Sequence, residues 1–189
     1  TSNSVKGDYL EFGCHRVRTF RMALTEAKHQ SIETMKFHAF DSFQGLPPND
    51  GLNDVSAWQP GQLTTSKKEF LNIVKKHGLF LDKIETYPGF YNETLTPELK
   101  KDLSKNNTKG AVICIDCDLY ESSVPVFKFI EEFLQDGTVI YIDDWFAGYK
   151  GHPNKGVSKA FHEFSQNSKY KFTEFVPVPW IGKSFIAYK

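Results

Sequence analysis

Two short apolar runs of this chain stop abruptly at carboxylates: Ala111–Ile115 leads into Asp116-Cys117-Asp118, and Val139–Ile142 leads into Asp143-Asp144. Runs of this length, rich in β-branched residues and entered through glycine turns, read as buried strands. In an open α/β sheet the carboxyl edge is where ligands bind. The sequence therefore predicts two acidic clusters at one ligand edge. Four carboxylates meeting there repel one another unless protons or a cation intervene. Hard divalent ions such as Mg²⁺ take oxygen ligands of this kind. Either pair alone is commonly strand-end Asp capping the following helix or turn; both pairs at adjacent strand ends favour a metal.

The rest of the pattern alternates. Tyr9–Phe12, Phe37–Phe40 and Ile84–Tyr87 read as three further strands. Apolar residues at helical spacing cover about 17–28, 65–76, 124–134 and 155–164, and a short helix opens at Pro97. Gly45-Leu46-Pro47-Pro48-Asn49-Asp50-Gly51 is too turn-rich for regular structure. Tyr170–Val176 and Ser184–Tyr188 read as a closing hairpin. The expectation is an α/β fold formed by one domain over residues 1–189: a Rossmann-like, doubly wound, mostly parallel seven-stranded sheet with an antiparallel C-terminal strand.

Composition narrows the partners. The 23 Lys and Arg balance 23 Asp and Glu, so no global field attracts nucleic acid or anionic membrane. No apolar run approaches the ~20 residues of a membrane span, and the first residues lack a signal-peptide core. Cys14, Cys114 and Cys117 are too few for a disulfide scaffold. They read as reduced thiols of a cytoplasmic protein, with a Cys-x-x-Cys redox pair as the alternative.

Each parallel strand ends in something distinctive. The first ends Glu11-Phe12-Gly13, and a glycine there lets a ligand approach the backbone. The dinucleotide motif G-x-G-x-x-G is absent: Gly13 is followed by Cys14-His15-Arg16-Val17-Arg18. The second strand ends at Asp41, followed by Ser42. An acid in that place accepts hydrogen bonds from ribose hydroxyls, or else caps a turn; together with Glu11 and Gly13 the ribose role is favoured.

Five blocks occur in order: Leu10-Glu11-Phe12-Gly13, Phe40-Asp41-Ser42-Phe43-Gln44-Gly45-Leu46-Pro47, Tyr87-Pro88-Gly89-Phe90, Asp116-Cys117-Asp118-Leu119-Tyr120-Glu121-Ser122-Ser123 and Ile142-Asp143-Asp144-Trp145. From about Gly7 to Phe164 the chain resembles the macrocin O-methyltransferase (TylF-like) family of class I S-adenosylmethionine (SAM)-dependent methyltransferases. The resemblance implies methylation of sugar hydroxyls of natural products, with SAM and Mg²⁺. It implies that Glu11 and Gly13 line the methionine end of SAM, that Asp41 and Ser42 meet the ribose, and that Gly89 lies near the adenine. It implies Asp116, Asp143 and Asp144 as metal ligands, with Asp116 also at the cofactor. Catechol O-methyltransferase is a more distant relative with a similar spacing, but its lysine base corresponds to about Leu119, so the base here is another group. The family carries helices ahead of the first strand that cover the site and form dimers. This chain begins almost at that strand, which points to a piece of a longer protein or a minimal member with a more open site. A homodimer is among the expected states.

The implied reaction moves a methyl group from the sulfonium to a hydroxyl oxygen, with Asp116 or Asp118 accepting the proton. Trp58, Trp145 and His152 are candidates for shaping the acceptor pocket, with loop or core packing as the alternative for each. Three other readings stay open on the sequence alone. Asp116 and Asp118 could serve a phosphohydrolase of the haloacid dehalogenase type as nucleophile and acid/base. The same Asp-x-Asp could hold the metal of a glycosyltransferase. A methyltransferase-like domain could also act as a non-catalytic binding module.

Overall fold

Leu10, Phe12, Ile113, Ile115, Ile140 and Ile142 are wholly buried, and they fix the middle of the sheet. Burial of each such side chain contributes ~1.5–3 kcal/mol. The structure, a computed structural model, describes residues 4–48, 59–147, 152–176, 178 and 182–189. Seven strands form one sheet: β1 (Asp8–Phe12), β2 (Phe37–Asp41), β3 (Ile84–Pro88), β4 (Gly110–Ile115), β5 (Val139–Ile142), β6 (Lys171–Glu174) and β7 (Lys183–Tyr188). Their order is β3-β2-β1-β4-β5-β7-β6. The first five pair in parallel, and β7 runs antiparallel to both β5 and β6. The expected architecture is therefore present. The order reverses beside β1, between β2 and β4, which opens a crevice at the carboxyl edge.

Helices cover both faces. On one, α1 (Arg18–His29) and α2 (Lys67–His77) bring Phe20, Leu24, Phe70 and Val74 against Tyr9, Phe37 and Ala39. A capping box fixes the start of α2: the Ser66 hydroxyl accepts from the Glu69 amide while Glu69 accepts from the Ser66 amide. On the other face lie α4 (Pro97–Lys105), α5 (Tyr120–Ile130) and α6 (Gly156–Asn167), with Leu103, Phe127, Phe129 and Phe161 inward. Phe12 stacks on Phe40 at 4.5 Å, and Phe40 on Tyr87 at 4.3 Å, so rings tie β1 to β2 and β3. Among the described residues, no helix is long and apolar enough to cross a membrane.

The fifth helix departs from expectation. It begins at Tyr120 rather than near Val124, and Pro125 lies inside it. Proline has no N–H to give the Glu121 carbonyl, a loss that argues against helix at this point. The start is held instead by Leu119, which is fully buried and whose carbonyl accepts from both the Ser123 amide and the Ser123 hydroxyl. The shift puts Glu121 and Ser122 in the first turn, on the ligand side. A four-residue helix, α3 (Tyr91–Thr94), was also not expected.

Gly13 is where β1 and β4 come closest at the ligand edge. Its φ is +91°, and a Cβ there would lie 1.7 Å from the Asp116 carbonyl oxygen. Gly13→Ala is expected to cost ~3 kcal/mol or more in chemical denaturation. Gly78→Ala, at φ +77° with nothing within 4 Å of its Cβ, is expected to cost only the ~1–2 kcal/mol of a left-handed residue. Equal losses would show that backbone conformation, not the close approach, makes glycine necessary at residue 13.

Candidate active site

Three backbone bonds step across the carboxyl edge of the sheet. The Gly13 amide donates to the Phe40 carbonyl at 2.9 Å, Asp116 to Phe12 at 2.8 Å, and Asp143 to Ile115 at 2.8 Å. Beyond them the chain turns sharply at Asp118 (φ +60°) and Asp144 (φ +55°). Asp tolerates this left-handed conformation better than most residues, so these acids have a backbone role as well as a charge. The turns surround a cleft of about 610 Å³ whose lining includes Gly13, Asp41, Gly89, Asp116, Asp118 and Asp143.

Asp41 closes β2 and holds two loops at once. Its Oδ2 accepts the Cys14 amide at 2.7 Å and its Oδ1 accepts the Phe43 amide at 2.6 Å. Burial pushes its pKa up, against the pull of those two amides. Each oxygen keeps a further lone pair, so Asp41 can accept a pair of hydroxyls without releasing either loop. The Ser42 hydroxyl donates to the Gly45 carbonyl at 2.7 Å and accepts from the Gln44 amide at 3.0 Å. The Gly89 amide donates to the Asp41 carbonyl at 3.1 Å. Ser42 also lines the cleft.

The resemblance puts Glu11 at the methionine end of SAM, but Glu11 does not line the cleft. Its carboxyl is buried beneath the turn, bonded by the Tyr9 hydroxyl. Burial pushes its pKa up to about 8, while bonds from Tyr9, Cys14 and the Phe20 amide pull the other way.

Asp116, Asp118 and Asp144 each offer an oxygen within 4.8 Å of the others. The third carboxylate of this cluster is Asp118, where the family resemblance implies Asp143. Asp143 lies beside them in the cleft, with its Oδ1 accepting from the Tyr141 hydroxyl at 2.6 Å. Burial, and then the charges of Asp143, Asp118 and Asp144, push Asp116 well above the usual carboxylate range. Burial and Asp143 push Asp144 up to about 6. A hard oxygen donor set whose members repel one another fits a divalent cation.

Other side chains fall elsewhere. Trp145 is core, packed on Phe161 at 5.4 Å and Phe185 at 5.2 Å, rather than acceptor pocket. His152 is exposed, does not line the cleft, and accepts from the Asn154 amide. Trp58 lies outside the described residues. The three cysteines are buried free thiols. His15, Arg16 and Arg18 line the cleft and were not among the expected site residues. Their signal was the basic run after Gly13, read only as glycines missing from a motif.

The macrocin-O-methyltransferase (TylF) profile matches residues 1–182. The chain belongs to that family. The SAM-dependent O-methyltransferase activity of this family takes the place of the phosphohydrolase, glycosyltransferase and non-catalytic readings. The fold is similar to that of the O-methyltransferase NovP, with a TM-score of 0.79 at 19% identity over 100% of this chain and 74% of NovP. CalS11, a calicheamicin methyltransferase, gives 0.76 at 19% identity over 97% of this chain and 73% of that one. TomG of Streptomyces achromogenes, an O-methyltransferase of tomaymycin synthesis in complex with SAM, gives 0.62 at 13% identity over 96% and 73%. No curated protein sequence matches the chain.

The buried Glu11 carboxyl holds its proton more tightly in the folded state than in the unfolded one. Its contribution to stability is therefore full below about pH 4.5 and is lost as pH rises through about 8. Denaturation across this range, in excess chelator, is expected to show wild type losing stability relative to Glu11→Gln, by up to ~1.4 kcal/mol per pH unit. Parallel curves for the two proteins would place the titration elsewhere.

Proposed function

We propose that the protein transfers the methyl group of SAM to a hydroxyl of a sugar or a similar hydroxylated natural product, with Mg²⁺ at the acid cluster. The observation that carries this is a single cleft joining Asp41, with its spare acceptor positions, to the acids at the ends of β4 and β5. The acceptor class is supported by the family and by the sugar substrate of CalS11, a TDP-rhamnose 3'-O-methyltransferase.

Asp41 accepts the ribose hydroxyls, and Ser42 keeps its turn closed. Gly89 leaves the adenine side open, and Gly13 lets the methionine portion lie against the backbone. Glu11 supports that turn from below. Asp116, Asp118 and Asp144 would hold the metal, with Asp143 as a fourth carboxylate facing the cleft. A divalent ion held there would supply Lewis-acid chemistry, lowering the pKa of a nearby acceptor hydroxyl. Asp118 or Asp116 takes the hydroxyl proton. Bound SAM would supply the methyl group: the acceptor oxygen would bond to the methyl carbon as the carbon–sulfur bond breaks, with that electron pair going to sulfur. The cleft residues align the three atoms and exclude water.

Transfer of labelled methyl from SAM to sugar-bearing acceptors, with Mg²⁺ or with chelator, tests this reading. Asp144→Asn is expected to lower turnover on the order of 100-fold and to abolish Mg²⁺ stimulation, with S-adenosylhomocysteine (SAH) affinity within about threefold of wild type. Full wild-type turnover in chelator would remove the metal from the mechanism.

A further inference from the structure

Asp143 stands at the centre of the acid edge. Of the neighbouring charges its own acts most strongly on Asp116, and it acts on Asp144 as well. Its carboxylate lines the cleft. One oxygen is already engaged: Oδ1 accepts from the Tyr141 hydroxyl at 2.6 Å. That length is typical of a charge-assisted O–H···O⁻ bond. The carboxylate can only accept, so the tyrosine is the donor.

The fold gives this phenol a seat of its own. Tyr141 is the third residue of β5, and strand alternation puts its side chain on the same face as that of Asp143. In register it stands between Cys114 of β4 and Ser184 of β7. Its ring packs with the apolar cluster beneath α1 and α2. Its outer end rests on Gly182, a buried residue just before β7. A Cβ at residue 182 would lie 2.6 Å from Cε2 of the ring and 2.7 Å from the hydroxyl oxygen. The absence of a side chain there leaves room for the hydroxyl. A phenylalanine would fill nearly the same space, so what the hydroxyl adds is its bond to Asp143.

The torsion that turns an aspartate carboxylate is soft. Four neighbouring carboxylates that repel one another would swing apart along it unless something held them. A hydrogen bond to one oxygen fixes the direction of both. We propose that Tyr141 is a positioning residue of the acid edge, its hydroxyl holding the Asp143 carboxylate beside Asp116 and Asp144 so that the acids bind a divalent cation more tightly. This rests on the metal reading above. Groups that orient a metal-binding carboxylate from behind are worth roughly 10- to 100-fold in metal affinity.

Titration of wild type, Tyr141→Phe, Asp143→Ala and the double variant with Mn²⁺, without SAM or acceptor, tests the assignment. Mn²⁺ takes the same oxygen ligands as Mg²⁺, and its free form is read by electron paramagnetic resonance. Tyr141→Phe is expected to weaken Mn²⁺ binding roughly tenfold or more, with a melting temperature within about 4 °C of wild type. In the Asp143→Ala background the same substitution is expected to change affinity by no more than about twofold, because the tyrosine acts through that carboxylate. Unchanged Mn²⁺ affinity in Tyr141→Phe, or an equal loss in both backgrounds, would overturn the assignment. A wild-type protein that bound no Mn²⁺ would overturn the metal reading on which it stands.

Discussion

The carbonyl oxygen of Asp116 lies where a side chain on residue 13 would have to be. This contact lets β1 and β4 end side by side, with the Asp116 amide on the Phe12 carbonyl and the Gly13 amide on the Phe40 carbonyl. The same stepping continues to β5 through the Asp143 amide. The ends of four neighbouring strands are thereby brought level. Asp41 is close to the β1 turn, and the acids after β4 and β5 are close to one another. With any larger residue at position 13, the two halves of the crevice would separate and the ribose-type carboxylate would lose its relation to the acid cluster.

Electrostatics then explains why so costly an edge is kept. Burial raises the pKa of Asp116 and of Asp144, and the charge of Asp143 beside them adds to the effect. A structure gains nothing from such repulsion unless a cation or a cationic ligand relieves it. On the opposite side, the strained turn at Arg16 and Val17 carries the only cationic side chains of the cleft among the described residues. The two sides together suit a ligand with separated charges better than a uniformly anionic or neutral one. Asp41, between them, is bonded by two amides and so has a fixed orientation.

Much of the fold was legible because its strands are short apolar runs with abrupt polar ends, and because proline and glycine punctuate the rest. The seven strands, the antiparallel last one and the acids at the β4 and β5 ends all follow from that pattern. What was not legible depended on side-chain direction. Glu11 precedes a ligand-edge glycine, but the twofold alternation of a strand turns it into the layer beneath, toward Tyr9 and α1. Asp118 joins Asp116 and Asp144 because of a left-handed turn that spacing alone does not reveal. The early start of α5 was hidden by Pro125, and the basic turn after Gly13 was seen only as an incomplete motif.

The measurement that tests the account most directly is a crystal structure of the protein with S-adenosylhomocysteine. The account predicts the ribose hydroxyls on Asp41, the adenine beside Gly89 and the sulfur facing Asp116 across Gly13. A nucleoside bound away from Asp41, or a cleft left empty at saturating ligand, would contradict it.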